Sequence, residues 1–339
     1  MLKDLSVRTI ALLKATVPAL EGHSLAITRR MYERMFQNEA IRDLFNQSHH
    51  RETGSQPRAL AAAIVAYARN IDGLAALAPA VERIAQKHVG LNILPEHHPY
   101  VAEALLGAIK DTLGDAATEE ILAAWREAYW YLAEVLIARE RAIYGGLAAA
   151  PGGWTGWREF RVERKERESD VITSFTLRPA DGGPVLRHRP GQYLTFWVDV
   201  PGRHPLKCNY SISSAPNGET YRITVKREPH GVVSCWLHDS AAPGTTSKAA
   251  PPTGEFFLRR AMARPVVLVS GGVGLTPLMS MLETIAERHP GLPAHYVHGT
   301  RDGATHAMGA RARELAVRSG GRIKATTYFF GPADELLAA

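Results

Sequence analysis

Cysteine is nearly absent: Cys208 and Cys235 are the two in 339 residues, and no CxxC pair occurs. That excludes a disulfide framework and a thiolate metal site, and it points to a reducing compartment. Nor does any apolar run approach the roughly 20 residues that a membrane helix needs. Lys3, Asp4, Arg8 and Lys14 interrupt the apolar N-terminus, as in an amphipathic helix and unlike a secretory signal. Charge of one sign is lacking too. The 40 basic and 34 acidic residues leave a net charge of +6, and stretches such as 158–168 mix both signs, so no nucleic-acid surface is expected. No internal repeat or low-complexity tract occurs. These absences leave a cytoplasmic globular protein without a membrane span. Hydrophobic residues at 45% supply its cores, and its length calls for two or three domains.

What is present falls into three compositions. Residues 1–147 read as helix throughout, with Ile10, Leu13, Val17 and Leu20, and later Ile121, Trp125, Tyr129, Leu132 and Leu136, at helical spacing. The Pro-Gly-rich stretch 148–156 is a linker. Residues 157–262 change to period two, with strands expected at 171–177, 193–198, 210–213 and 221–225, as in an antiparallel barrel. From 263 onward strand and helix alternate, which predicts a parallel α/β sheet. Val266–Val269 is a short unbroken apolar run, the pattern of a strand buried on both faces. Helices are expected at 278–288 and 306–318.

Two features carry chemistry on their own. His88 stands near the end of a helix, where an imidazole with one free ring nitrogen is a good axial ligand for haem iron. A lone helical histidine is more often plain structure. Ser270-Gly271-Gly272-Val273-Gly274-Leu275-Thr276-Pro277 joins a strand to a helix, and such a loop lets backbone N–H groups approach a pyrophosphate. Pro277 suits the first helical turn, where no N–H partner is needed. The spacing is not GxGxxG, so an ordinary Rossmann reading is not supported.

Read together, the motifs carry a resemblance. Arg189-Pro190-Gly191-Gln192-Tyr193, Tyr210-Ser211, Gly231-Val232-Val233-Ser234 and the glycine loop resemble the flavin and nucleotide modules of the ferredoxin-reductase superfamily. With Met31-Tyr32, Leu44-Phe45, Gln86-Lys87-His88, Pro95-Glu96-His97 and Arg139-Glu140 before them, the whole chain resembles a bacterial flavohemoglobin, a nitric oxide dioxygenase. The resemblance implies an all-α globin, then an antiparallel β-barrel FAD domain, then an α/β nucleotide-binding domain. It implies haem b, FAD and NAD(P)H as cofactors, O2 and NO as small-molecule partners, and a monomer.

It also implies roles for single residues. His88 would be the proximal haem ligand, with basic Lys87 beside it. Glu140 would accept a hydrogen bond behind His88, and His98 stands where the family has a tyrosine completing that set. Tyr32 would face the distal side, Phe45 would pack on the haem, and Gln56 and Leu60 would line the distal pocket. Tyr193, Cys208, Asn209, Tyr210 and Ser211 would hold FAD, Cys208 replacing the family's phosphate-binding arginine. Gly272, Val273, Gly274, Leu275, Thr276 and Pro277 would hold NAD(P)H.

The α/β domain, 263–339, is expected to be shortened, without the family's Cys-Gly-Pro loop. The implied activity is oxidation of NO with O2 to nitrate at a haem reduced by NAD(P)H through FAD. A haem-based O2/NO carrier or sensor with an impaired reductase module is the alternative.

Overall fold

The computed structural model describes residues 4–45, 55–259 and 264–331. The chain divides into two compact units, Met1–Gly146 and Leu147–Ala339.

The first unit is helical. Ser6 caps α1 (Val7–Met35), its hydroxyl accepting from the Thr9 N–H at 3.0 Å. Then come α2 (Glu39–Arg42), α3 (Ser55–Arg69), α4 (Ala78–Leu91), α5 (His98–Leu113) and α6 (Glu119–Ala149). The apolar stripes meet as their spacing predicts. Leu13, Leu20 and Ile27 of α1, Ile109 of α5 and Trp125 of α6 are buried in one cluster, each contributing about 1.5–3 kcal/mol of transfer free energy. Helix α6 passes the expected boundary at 147 by two residues, because its Ala-rich tail keeps helical propensity until Pro151 disfavours it.

The second unit begins with a six-stranded antiparallel sheet in the order β4-β3-β6-β1-β2-β5. Its strands are β1 (Arg158–Arg167), β2 (Ile172–Pro179), β3 (Tyr193–Val198), β4 (Leu206–Ser211), β5 (Tyr221–Lys226) and β6 (Thr246–Ala249), with α7 (Val232–Asp239) after β5. Ile212 bridges Ile223 and so links the two outermost strands. The strand expected at 210–213 starts four residues earlier and ends two earlier. Lys207 and Asn209 are poor strand formers, but the ladder from Val198↔Leu206 to Tyr193↔Ser211 overrides local preference.

A parallel sheet follows, with β7 (Val266–Gly271), β8 (Ala294–Thr300) and β9 (Ile323–Phe329) side by side. Helices α8 (Leu275–Arg288) and α9 (Gly309–Arg318) pack with Leu268, Ala294, Tyr296 and Ile323 in one core. Helix α9 starts three residues later than expected, since Met308 before it takes a left-handed φ of 56°. The expectation that β7 is buried on both faces fails. Val267 and Val269 are 62% and 67% exposed, because the core formed with α8 and α9 takes only the alternate residues.

A buried carboxylate ties the two sheets of this unit together. Glu283 of α8 accepts from the Ala215 N–H at 3.0 Å, from Arg222 of β5 at 3.1 Å and from Arg311 of α9 at 3.0 Å. Among the described residues no helix is long and apolar enough to cross a membrane.

Candidate functional site

His88 occupies the last turn of α4, which ends where Asn92 takes a left-handed φ of 58° and its N–H returns to the His88 and Val89 carbonyls. Asparagine tolerates that conformation better than most residues. The His88 Nδ1 lies 2.6 Å from Glu140 Oε1. Nδ1–H donates to the carboxylate, which fixes the tautomer and leaves Nε2 with its lone pair. Glu140 comes from α6 and is 2% exposed. Burial pushes its carboxyl up, but the hydrogen bond from His88 and the electrostatic influence of the neighbouring His98 together outweigh it, so its pKa falls below the usual glutamate value.

His98, at the start of α5, is buried with its Nε2 3.8 Å from Glu140 Oε2. That is longer than a hydrogen bond, and neither atom has another partner. The Tyr129 hydroxyl donates to the His98 carbonyl at 2.9 Å and lies 3.3 Å from its Nδ1. Burial pushes the Tyr129 phenol up, which keeps it a donor. Tyr129 was legible only as part of a helical packing stripe, and no sequence signal marks it as the holder of His98. Tyr100 is 45% exposed and stands apart. His88, His98 and Glu140 place ligand-type atoms within 4.8 Å of one another. The short His88–Glu140 separation makes this set the support of one imidazole and not a separate ion cage.

Tyr32 of α1 is 7% exposed in the core of the same unit. Its ring lies 5.9 Å from Phe45 at 85° and 5.5 Å from Phe36, and Phe36 lies 5.6 Å from Phe45. Leu60 of α3 packs half-buried against this core. Gln56 is in the first turn of α3, and its side chain lies outside the described residues. Lys87 is exposed beside His88.

Strand alternation divides the predicted flavin residues. The pairs Tyr193↔Ser211, Thr195↔Asn209 and Trp197↔Lys207 share one face of β3 and β4, and Leu194↔Tyr210, Phe196↔Cys208 and Val198↔Leu206 share the other. The second face is the sheet's core, where Tyr210 and Cys208 pack with Leu194 and Phe196. Tyr193, Asn209 and Ser211 are thus brought together, whereas Cys208 and Tyr210 point to the opposite side. Burial pushes the Cys208 thiol up to about 12. Lys207 sits over Trp157 and Trp197, 5.2 and 5.1 Å from their ring centres. Gly254, with φ at +115°, presses on the Tyr193 ring, and a Cβ there would come within 3.0 Å of it.

The glycine loop forms a short 3-10 turn at Gly272–Gly274 leading into α8, and Gly272 has a φ of +49°. A Cβ built at Gly271, Gly272 or Gly274 would meet nothing within 4 Å. These glycines therefore border open space rather than a packed neighbour, next to a helix N-terminus of the kind that receives phosphates. Leu275 and Thr276 are buried, and the Thr276 hydroxyl donates to the Val273 carbonyl at 3.2 Å.

Comparison with known proteins agrees with this layout. A globin model matches residues 29–136, an oxidoreductase FAD-binding domain 159–258, and an oxidoreductase NAD-binding domain 268–335. A flavohemoprotein of Xylella fastidiosa is 53% identical over 97% of this chain and 82% of its own. The chain belongs to the flavohemoprotein family. A second flavohemoprotein, from Rhodopirellula baltica, is 46% identical over 92% of this chain and 78% of its own. The crystal structure of a flavohemoglobin from Malassezia yamatoensis with bound FAD and heme superposes with a TM-score of 0.84 at 26% identity, covering 96% of this chain and 85% of that one. As a flavohemoprotein the chain joins a globin to an antiparallel flavin sheet and a parallel nucleotide sheet, the fold class its motifs imply.

Proposed function

We propose that the chain is an NAD(P)H-dependent nitric oxide dioxygenase that oxidises NO with O2 to nitrate. Haem b would be carried on residues 1–147, FAD on 157–262 and NAD(P)H on 263–339, with 148–156 as linker. The observation that carries this reading is the Glu140-held imidazole of His88 in a chain of the flavohemoprotein family.

The residues present fit the three groups. A neutral imidazole whose Nδ1–H is taken by a buried carboxylate has its Nε2 lone pair for iron. Tyr193, Asn209 and Ser211 on one sheet face suit a flavin, and the open glycine loop suits a pyrophosphate. When bound, haem supplies oxygen activation, FAD the conversion of a hydride into single electrons, and NAD(P)H the hydride.

The chain's own part is holding, tuning and excluding water. Glu140 accepts the His88 proton without taking it, which raises the basicity of Nε2 toward iron. His98, fixed by Tyr129, sits behind the second carboxylate oxygen and limits its movement. Tyr32 presents its O–H to the small ligand on the distal side, where donors act on developing negative charge. Phe45 and Leu60 shape that side, and Lys87 adds a positive charge near the proximal helix. Cys208 and Tyr210 offer a flavin on the outer face their backbone only. Leu275, Thr276 and Pro277 form the helix start that faces a pyrophosphate after Gly272, Val273 and Gly274. The protein acts as a cytoplasmic monomer on small molecules.

The test is NO consumption by purified protein supplied with NADH, FAD and O2. Tyr32→Phe should lower the rate by about 10²-fold, the scale for one preorganised donor, and equal rates would overturn the reading. His88→Ala should lose the Soret band. The inward-facing Cys208 favours one second reading, a haem-based O2/NO carrier or sensor with weak flavin binding. A Soret band with no releasable flavin would support that instead.

A further inference from the structure

The second unit contains a concavity that neither the flavin face nor the glycine loop uses. It encloses about 710 Å³ and is bordered by Arg187, Arg189, Arg259, Arg288, His289 and Phe257. The volume lies within the range of small-molecule sites, roughly 300–1,000 Å³. Among the described residues no acidic side chain lines it. The chain as a whole is close to charge balance, 40 basic to 34 acidic, so four arginines around one acid-free hollow stand out from its average surface.

None of the four guanidinium groups is in an ion pair among the described residues, although most other arginines of this unit have carboxylate partners. Their positions are built. Arg189 lies over the Phe257 ring, 4.5 Å from its centre, and Arg288 donates to the Pro216 carbonyl. The Leu258 N–H donates to the Pro190 carbonyl at 2.9 Å, which joins the two loops forming one wall. His188 closes the floor at 4% exposure and donates through Nε2 to the Ser214 carbonyl at 3.1 Å. Burial lowers its pKa to about 3, so the positive charge of the hollow comes from the arginines.

Location separates this hollow from the nucleotide loop. Thr284, Arg288 and His289 stand at the C-terminal end of α8, whereas Gly272–Gly274 precede its first residue. Fourteen residues at about 1.5 Å each put roughly 20 Å between them.

We propose that this hollow binds a small diffusible ligand carrying two or more phosphate groups. Guanidinium forks match phosphate oxygens in bidentate geometry, and several forks around one cavity suit several phosphates better than one. Loops 187–190 and 257–259 hold one side and α8 the other, so such a ligand would bridge the flavin sheet and the nucleotide sheet.

The test is calorimetric titration of the full chain, loaded with haem and FAD and saturated with NAD⁺, at low salt. Inorganic pyrophosphate and ATP are the soluble probes, and vesicles of phosphatidylglycerol in phosphatidylcholine are the lipid arm. Both soluble probes should bind saturably in the presence of NAD⁺. Arg187→Gln and Arg288→Gln should each weaken binding about tenfold, and Arg164→Gln on β1 should leave it unchanged. If the lost Pro216 contact unfolds the Arg288 variant, judged by its Soret band and FAD content, Arg259→Gln takes its place. Displacement by NAD⁺, equal binding by the variants, no saturable binding, or binding to vesicles alone would overturn the proposal.

Discussion

Replacing Glu140 by glutamine separates what this residue does for its helix from what it does for His88. The Oε1 acceptor survives as an amide carbonyl 2.6 Å from Nδ1, but the charge is lost. Hydrogen bonds to a charged group contribute about 1.5–3 kcal/mol and neutral ones about 0.5–1.5, so the bond weakens by roughly 1–2 kcal/mol. The amide also avoids part of a buried carboxylate's desolvation penalty, an offset of the same order, about 1–2 kcal/mol. At neutral pH the two nearly cancel, and the global stability should move by no more than about 1 kcal/mol. The pH dependence should change more. The folded-state pKa of Glu140 lies below its unfolded value. Its contribution is therefore complete above the unfolded pKa, about 4.3, and is lost as pH falls through the folded value. The glutamine variant should lose that part of the acid slope. Urea unfolding between about pH 3 and 7, which covers the plateau above the unfolded pKa and the onset of the loss below it, reads stability, and resonance Raman of the ferrous haem protein reads the iron–histidine stretch. A weaker stretch with near-wild-type neutral stability is expected. An unchanged stretch with a loss above about 3 kcal/mol would show that Glu140 serves packing alone and refute the reasoning.

Three other outcomes concern positions in the second unit. Gly254→Ala, at φ +115° and with a Cβ 3.0 Å from the Tyr193 ring, should cost about 1–3 kcal/mol and reduce copurified FAD, as measured by thermal unfolding and flavin release. His188 is buried with its pKa lowered to about 3, so the unfolded chain binds its proton first. Stability should fall as pH drops from about 6.5 toward 3, by up to about 1.4 kcal/mol per unit from this group, and His188→Gln should flatten a urea-unfolding series over that window. Cys208, with its thiol pushed up to about 12, should resist a disulfide reagent at pH 8 until the chain unfolds. Rapid labelling of Cys208, followed by peptide mapping, would contradict its place inside the sheet.

The parts of this protein that could be read from sequence are those set by local periodicity or by contiguous motifs. The stripe Ile10–Leu13–Val17–Leu20 and the strand Tyr193–Val198 lie where their spacing puts them. The glycine loop announced a strand-to-helix turn by itself. The pairing of His88 with Glu140 was different: 52 residues separate them, and only the family resemblance joined them before the fold did. Tyr129 shows the limit of periodicity, since a residue on the buried stripe of a helix can pack or donate, and spacing is the same for both. Cys208 and Tyr210 show another. Their motif is contiguous, but alternation within β4 turns every second member to the far side, and the register that decides this comes from the ladder with β3. The apolar run Val266–Val269 implied a doubly covered strand, yet a run of valines cannot say how many faces have neighbours.

That uncovered face has a colloidal meaning. Val269 stands opposite Val297 and Val267 opposite His295, and Tyr328, paired with Gly299 further along the same face, is 55% exposed. The Phe330 ring lies over Gly299 on the same side, itself half open to water. At about 25 cal/mol per Å², a few hundred Å² of such surface stores several kcal/mol of interfacial tension. Among the described strands β7 is one edge of its sheet, so the wettability contrast runs up to an edge of the kind that presents unpaired peptide groups. Copies of the chain should therefore adhere first at this edge of the second unit. Sulfate should promote that association by strengthening the same tension, and low urea or a mild detergent should reverse it; light scattering unchanged by sulfate would refute this.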